Sequence, residues 1–496
     1  MKFFICLLFP LFIAVNGMRC AAQSIQISPE NIDDNGLDYA KVIGQDESGI
    51  YLLMSNLSLE SGRDRFGLKT RKYELSFYTY DLQRKWKKDP VPDPSSGTLE
   101  NIAFFNNTTV IITSEQIRAN NTCNLYIEVI NAKGESIVKG RKVYTGNINK
   151  VADLAKPKGL ISPDKRSLGI AMEESRNGEI IIHYCSIDEN YQPLRQLQTK
   201  VSYSDKDAAL SEFAISNQQD LFFLCFRKEI VNEEKSKLRR FSLFMVSNTD
   251  GRMNEYPFNA MDQQMTEAAL VIDKINNQAI VTGFYADKTS FAGASLLYGT
   301  LSVIRPEKLE VKIGRLTNDA QLKFVGQRNT GGGVSLFKYP IQRVIPRSDG
   351  GSLVIAEAAY LSEYSFYDYF TQTFNRRVEF HYDNILALSV NANGTIHWSQ
   401  LIQKDQTSMD DEGLYSSCNI VLSPEELIVI FNKDIGRNNE IVGHAINARG
   451  QLTIRTFSKK SDSISILPRA GKQVDENTII VPAVTKKRLF LVKIEL

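Results

Sequence analysis

Histidine is scarce in this chain: His183, His381, His397 and His444 are the only four among 496 residues, and they are scattered rather than clustered. A multi-histidine metal centre is therefore not expected, and each is read as a satisfied strand residue. The six cysteines show no Cys-x-x-Cys spacing, which argues against zinc. A Gly-x-Ser-x-Gly elbow and a Gly-x-x-x-x-Gly-Lys phosphate loop are both missing, as is the Ser-x-Asp-x-Gly-x-Thr-Trp box of sialidase-type propellers. No cofactor is expected, and no reaction is declared. Charge of one sign is lacking too, with 59 basic against 57 acidic residues. That balance excludes bulk electrostatic capture of nucleic acid, which needs a strong positive field. Beyond the first two dozen residues no apolar run approaches the roughly 18 residues of a membrane helix.

The N-terminus carries the one long apolar run. Met1-Lys2 precedes Phe3 to Val15, and Asn16-Gly17-Met18-Arg19-Cys20-Ala21-Ala22 follows. A charged start, a short apolar stretch and a small-residue exit read as a secretory signal peptide over 1–22. The mature chain, 23–496, is then formally neutral, because Lys2 and Arg19 leave with the leader and no acid does. The protein is expected to be exported, to the periplasm or the cell surface. Lipid anchoring through Cys20 is the alternative, against which Arg19 stands where a small residue is wanted. Cys123, Cys185, Cys225 and Cys418 remain and sit in or beside apolar runs, so buried thiols are the default. Their disulfide state stays open, since pairing requires Cα atoms within about 7 Å.

A single core rarely grows past roughly 250–300 residues, so this length needs several domains or a repeat. The repeat is present. A polar turn followed by a strongly apolar strand recurs eight times. It is seen at Glu47-Ser48-Gly49 before Ile50–Leu53, at Asn106-Asn107 before Val110–Ile112 and at Ser162-Pro163-Asp164 before Leu168–Ile170. Asn217-Gln218-Gln219, Asn276-Asn277, Asp349-Gly350-Gly351, Ser423-Pro424 and Asp475-Glu476-Asn477 open the other five. The mean spacing is about 59 residues, slightly above the usual propeller blade. A third strand and a glycine turn follow in many units, as in Asn131-Ala132-Lys133-Gly134 and Asn447-Ala448-Arg449-Gly450. Glycine supplies the positive φ that such hairpins require. Four antiparallel strands repeated about an axis make an all-β protein, a β-propeller. Eight four-stranded blades in a single domain are favoured, and seven is the alternative. The last unit has only three strands, and Ser24–Ser28 forms a strand without a unit. Pairing of the N- and C-terminal strands is therefore expected to close the ring and remove two exposed edges.

The sixth unit carries Ser348-Asp349-Gly350-Gly351-Ser352-Leu353-Val354-Ile355-Ala356, then Asp383-Asn384-Ile385-Leu386-Ala387-Leu388 and Asn393-Gly394-Thr395-Ile396-His397-Trp398. It resembles a repeat of exported propeller proteins of the Bacteroidetes type, and the first unit echoes it from Glu47 to Trp86. The resemblance implies a fold and an exported, bacterial setting, but no particular activity.

Functional candidates gather in one insert, 357–382, which holds Tyr360, Tyr364, Phe366, Tyr367, Tyr369, Phe370, Phe374, Phe380 and Tyr382 around Arg376-Arg377. So many rings must bury against something. They form either a hairpin extension packed on its own blade or a recognition surface, since Tyr and Arg dominate interface hot spots and rings stack on sugars. The binding residues expected are Tyr364, Phe366, Tyr367, Tyr369, Phe370, Arg376 and Arg377. The densest carboxylates, Asp410-Asp411-Glu412, fall between two blades on the same face. They read as a turn cap, with an acid/base or calcium role as the sharper alternative. Basic loops in unit one (Arg63, Arg65, Lys69, Arg71, Lys72) and unit four (Arg227, Lys228, Lys235, Lys237, Arg239, Arg240) read as solvated hairpins. The expected function is a non-catalytic binding or scaffold propeller of the cell envelope with a protein partner. A carbohydrate-binding or glycan-active propeller using carboxylates near the channel is the alternative.

Overall fold

The computed structural model describes residues 25–32, 37, 39–56, 73–148, 155–231, 236–258, 264–286, 295–316, 339–368, 370, 372–435, 439–486 and 488–496. The leader at 1–22 and the basic loop of unit one lie outside the described residues. Eight antiparallel sheets follow one another along the chain, over 39–88, 98–147, 158–204, 208–258, 264–315, 341–409, 419–456 and 464–495. The chain is an eight-bladed β-propeller.

The burial of each strand follows from its place in a blade. The second strand of blade one, Gly49–Ser55, is buried at every position, whereas the fourth, Arg84–Lys88, alternates half-buried and exposed. A middle strand is covered on both faces by neighbouring blades and must be apolar throughout, while an outer strand meets water on one side. The first strands of successive blades touch one another from blade one to blade six, and that of blade eight touches blade one. They are therefore the innermost and wall the central channel. The core is divided accordingly into eight apolar clusters, one at each blade-to-blade interface. The cluster joining Ile480 and Leu491 of blade eight to Leu52 and Met54 of blade one closes the circle.

The terminal strands pair as expected. Ile25–Ile27 lies antiparallel to Arg488–Glu495, with Ile25 opposite Ile494 and Ile27 opposite Val492. Ser28 and Ile32 extend the seam, their amides donating to the carbonyls of Leu491 (2.8 Å) and Leu489 (2.9 Å). The innermost strand of blade eight departs from the simple pattern. It comes as two pieces, Ile464–Ile466 and Lys472–Asp475, both paired to Thr478–Thr485, with a turn at Pro468–Ala470 between them. Proline has no amide hydrogen for the ladder, so the strand breaks there.

The two tryptophans occupy equivalent places. Trp86 Nε1 donates to the Ala132 carbonyl at 2.7 Å, and Trp398 Nε1 to that of Ala448 at 3.1 Å. Each indole covers the glycine turn of the next blade. At Gly450 (φ +79°) a Cβ would come within 2.7 Å of the Trp398 ring. The motif shared by units one and six is thus an inter-blade contact.

Candidate functional site

The blade-six insert is a continuation of the blade's own strands. Ser352–Asp368 and Thr373–Val390 run antiparallel to the tip, with Tyr360 opposite His381, Tyr364 opposite Arg377 and Tyr367 opposite Phe374. The fourth strand, Ile396–Met409, accompanies Thr373–Val390 only as far as Glu379 opposite Met409. Beyond that, no third strand flanks the ribbon among the described residues, and Val378 bonds Asp410 of the crossover instead.

The aromatic residues divide by their height along the ribbon. At the base the rings are spent on packing. Phe380 is buried, Tyr360 stacks on His381 at 4.5 Å, and the guanidinium of Arg469 lies 5.2 Å from the Tyr382 ring centroid. Towards the tip they face water. Phe370 is fully exposed, Phe374 is 78% exposed, and Tyr364 and Tyr367 are about 40% exposed. Tyr367 and Phe374 meet edge to face at 5.1 Å, and Arg377 sits 5.1 Å from the Phe366 ring on the opposite face of the ribbon. Arg376 pairs with Glu363, and Arg377 Nη1 donates to Met409 Sδ at 3.1 Å. Tyr369 lies outside the described residues.

Asp410, Asp411 and Glu412 occupy the crossover from blade six to blade seven, beside the base of the ribbon. Asp410 Oδ1 accepts the Val378 amide at 2.9 Å, and its own amide donates to the Val378 carbonyl. Asp411 Oδ1 accepts the Ser408 hydroxyl at 2.6 Å and the Gly413 amide at 2.9 Å. The Glu412 carbonyl accepts from Arg469 at 3.1 Å. These carboxylates shape a turn, and the two aspartates are spoken for by local donors. In blade four, Arg227 lies 4.2 Å from the Tyr203 ring. The tip of that loop, and the side chains of Lys228, Lys235, Lys237 and Arg239, lie outside the described residues.

Two buried polar constellations went unread in the sequence. Below the ribbon, Lys404 and Glu357 form an ion pair at 2.9 Å with both side chains fully enclosed. Lys404 also donates to the Tyr382 carbonyl (2.6 Å) and Gln406 Oε1 (2.8 Å), while the Ser417 hydroxyl donates to Glu357. Between blades two and three, Tyr144 Oη meets His183 Nδ1 at 2.7 Å, His183 Nε2 meets Glu174 at 2.9 Å, and Arg176 Nη2 reaches Glu174 at 2.7 Å. Burial pushes the His183 imidazole below its ordinary value despite the glutamate. Strand alternation gives a weak signal for both, because an acid or histidine within an apolar run implies a buried partner, yet names none. The four cysteines are buried and free, and burial raises Cys185 and Cys225 to about 12. They are inert by this measure.

A cavity of 740 Å³ lies in the channel between blades six, seven, eight and one. Arg343 of blade six, Asn419 of blade seven, Arg469 and Lys472 of blade eight and Gln45 of blade one contribute to its wall. Asp475 and Glu476, at the end of the strand that holds Lys472, line it as well. Among the described residues no group of three or more metal-ligating side chains converges, and no helix is long and apolar enough to cross a membrane.

No family model matches the chain, and no curated protein matches its sequence. Similar solved structures include the polysaccharide lyase Uly1, at 9% identity over 92% of this chain and 99% of that one, with a TM-score of 0.39. The β-propeller domain of the Trilobed protease from Pyrococcus furiosus shares 8% identity over 86% and 98% (TM-score 0.34). The Nup133 β-propeller domain of Vanderwaltozyma polyspora shares 11% over 80% and 99% (TM-score 0.37). Likeness this distant says nothing of function. The blade number rests on the sheets of this chain.

Proposed function

We propose that this protein is a non-catalytic binding propeller, exported to the bacterial envelope as the leader at 1–22 and the repeat resemblance suggest, and that it recognises a protein partner through the blade-six ribbon. One observation carries the reading: Tyr364, Tyr367, Phe370 and Phe374 stay exposed on a projecting ribbon beside Arg376 and Arg377. Exposed rings are the usual anchors of a protein interface, with arginine at their side. The ribbon is flanked by no third strand among the described residues, which favours a polypeptide over a glycan, because a backbone can add to the ladder. The glycan-active alternative would draw on Asp410, Asp411 and Glu412, of which Asp410 Oδ1 and Asp411 Oδ1 already accept hydrogen bonds in the crossover turn.

The test is recovery of the tagged mature protein from cross-linked envelopes, followed by affinity measurement on the recovered partner. The mature N-terminus should be Gln23. Replacing Tyr367 and Phe374 together by Ala should weaken binding by more than about 1 kcal/mol while circular dichroism stays unchanged. Unchanged affinity in the folded variant refutes the ribbon assignment. Recovery of glycan alone replaces the protein reading with the carbohydrate one.

A further inference from the structure

The channel cavity holds an imbalance that the binding ribbon does not explain. Arg343 and Lys472 lie on the innermost strands of blades six and eight and Arg469 on the Pro468–Ala470 turn, yet they line one space. Their hydrogen bonds go to neutral carbonyls. Arg343 Nη1 donates to Ile420 at 2.9 Å, Arg469 Nη2 to Gly413 at 2.9 Å, and Lys472 Nζ to Ile43 at 3.3 Å. None of the three forms an ion pair among the described residues, although Asp475 and Glu476 line the same cavity. A guanidinium carries five donors, so both arginines keep donors free for the cavity. Arg343 and Arg469 are solvent-exposed and Lys472 is half-buried. Burial, followed by the charges of Lys165 and Lys41, holds the Lys472 ammonium below its ordinary value.

Three cations that line one cavity without forming an ion pair leave a positive potential that an anion would relieve. Arginine forks match the planar oxygens of carboxylate and phosphate, and lysine adds a point charge. A volume of 740 Å³ suits a small ligand rather than a polymer segment threaded through the ring. We infer that the cavity bounded by Arg343, Arg469 and Lys472 is a binding site for a small molecule carrying two or more oxyanion groups, phosphate or carboxylate. The site is separate from the blade-six ribbon, and neither assignment depends on the other.

The full mature chain would be titrated calorimetrically with tripolyphosphate, with citrate and with digalacturonate, using cellobiose as the neutral control. At least one anion should bind tenfold or more tighter than cellobiose. The double variant Arg343→Gln/Lys472→Gln should lose that binding at least tenfold, while Tyr367→Ala/Phe374→Ala keeps it. Preference for tripolyphosphate or for the carboxylates separates the two sources of oxyanion. Absence of anion binding, or equal affinity in the double variant, overturns the proposal. Should the double variant fail to fold, Lys472→Gln alone carries the test: a loss of anion affinity is expected, and unchanged affinity overturns the proposal.

Discussion

Replacing Lys404 by Met tests whether the polar knot beneath the ribbon holds blade six to its neighbours. In the native chain the Lys404 ammonium meets three acceptors: Glu357 Oε1, the Tyr382 carbonyl and Gln406 Oε1. Methionine keeps most of the volume and removes all three bonds. Glu357, with no exposed surface, is then left with the Ser417 hydroxyl. Breaking a buried pair from one side costs about 3–5 kcal/mol, because an uncompensated charge remains. Replacing both partners, as in Glu357→Leu/Lys404→Met, removes that charge and should recover most of the loss. Guanidinium denaturation followed by the fluorescence of Trp86 and Trp398 measures both variants. Amide exchange at Glu379–Asp383 should quicken in the single variant, since the ribbon base loses its tether. A Lys404→Met protein within about 1 kcal/mol of the parent would refute the reasoning, as would a double variant weaker than either single.

Two further outcomes follow from local geometry. Gly413 stands at φ +63°, where an added Cβ would lie 2.6 Å from the Tyr382 ring, so Gly413→Ala should destabilise by about 1–3 kcal/mol in the same denaturation assay. The pH dependence of stability should carry the mark of His183, whose folded value lies below its ordinary one mainly through burial. Below about pH 6.5 the unfolded chain takes a proton that the folded chain refuses, so this group's contribution is present at neutral pH and lost on acidification, by up to about 1.4 kcal/mol per pH unit. His183→Gln should flatten that acid limb in denaturation curves between pH 7 and 5; an unchanged slope would exclude it.

The architecture was legible because it is written in short-range patterns. Alternation at Arg84–Lys88, apolar runs such as Gly49–Ser55 and the glycine turns at Gly134 and Gly450 each act within a few residues. Repeated eight times, they leave little freedom but a ring. The closure was legible for the same reason, since an orphan strand and a three-stranded last unit each need an edge partner. The aromatic insert was visible as a segment, but the fate of its rings was not. Phe380 and Phe374 sit six residues apart on one strand and the same face, one buried and one exposed, because the fourth strand ends between them at Met409.

Side chains from distant units had to wait for the assembled ring. Glu357 and Ser417 are sixty residues apart, and Asp410 of the crossover finds its donor only once Val378 folds back beside it. The cationic cavity is the clearest case. Arg343, Arg469 and Lys472 are unremarked in composition or spacing, and the split of one innermost strand at Pro468 brings two of them to the channel wall. Local periodicity sets which residues extend and which turn, because it acts through neighbours in the chain. Charge and ring positions within a channel depend on how eight blades close, so only the tertiary structure decided them.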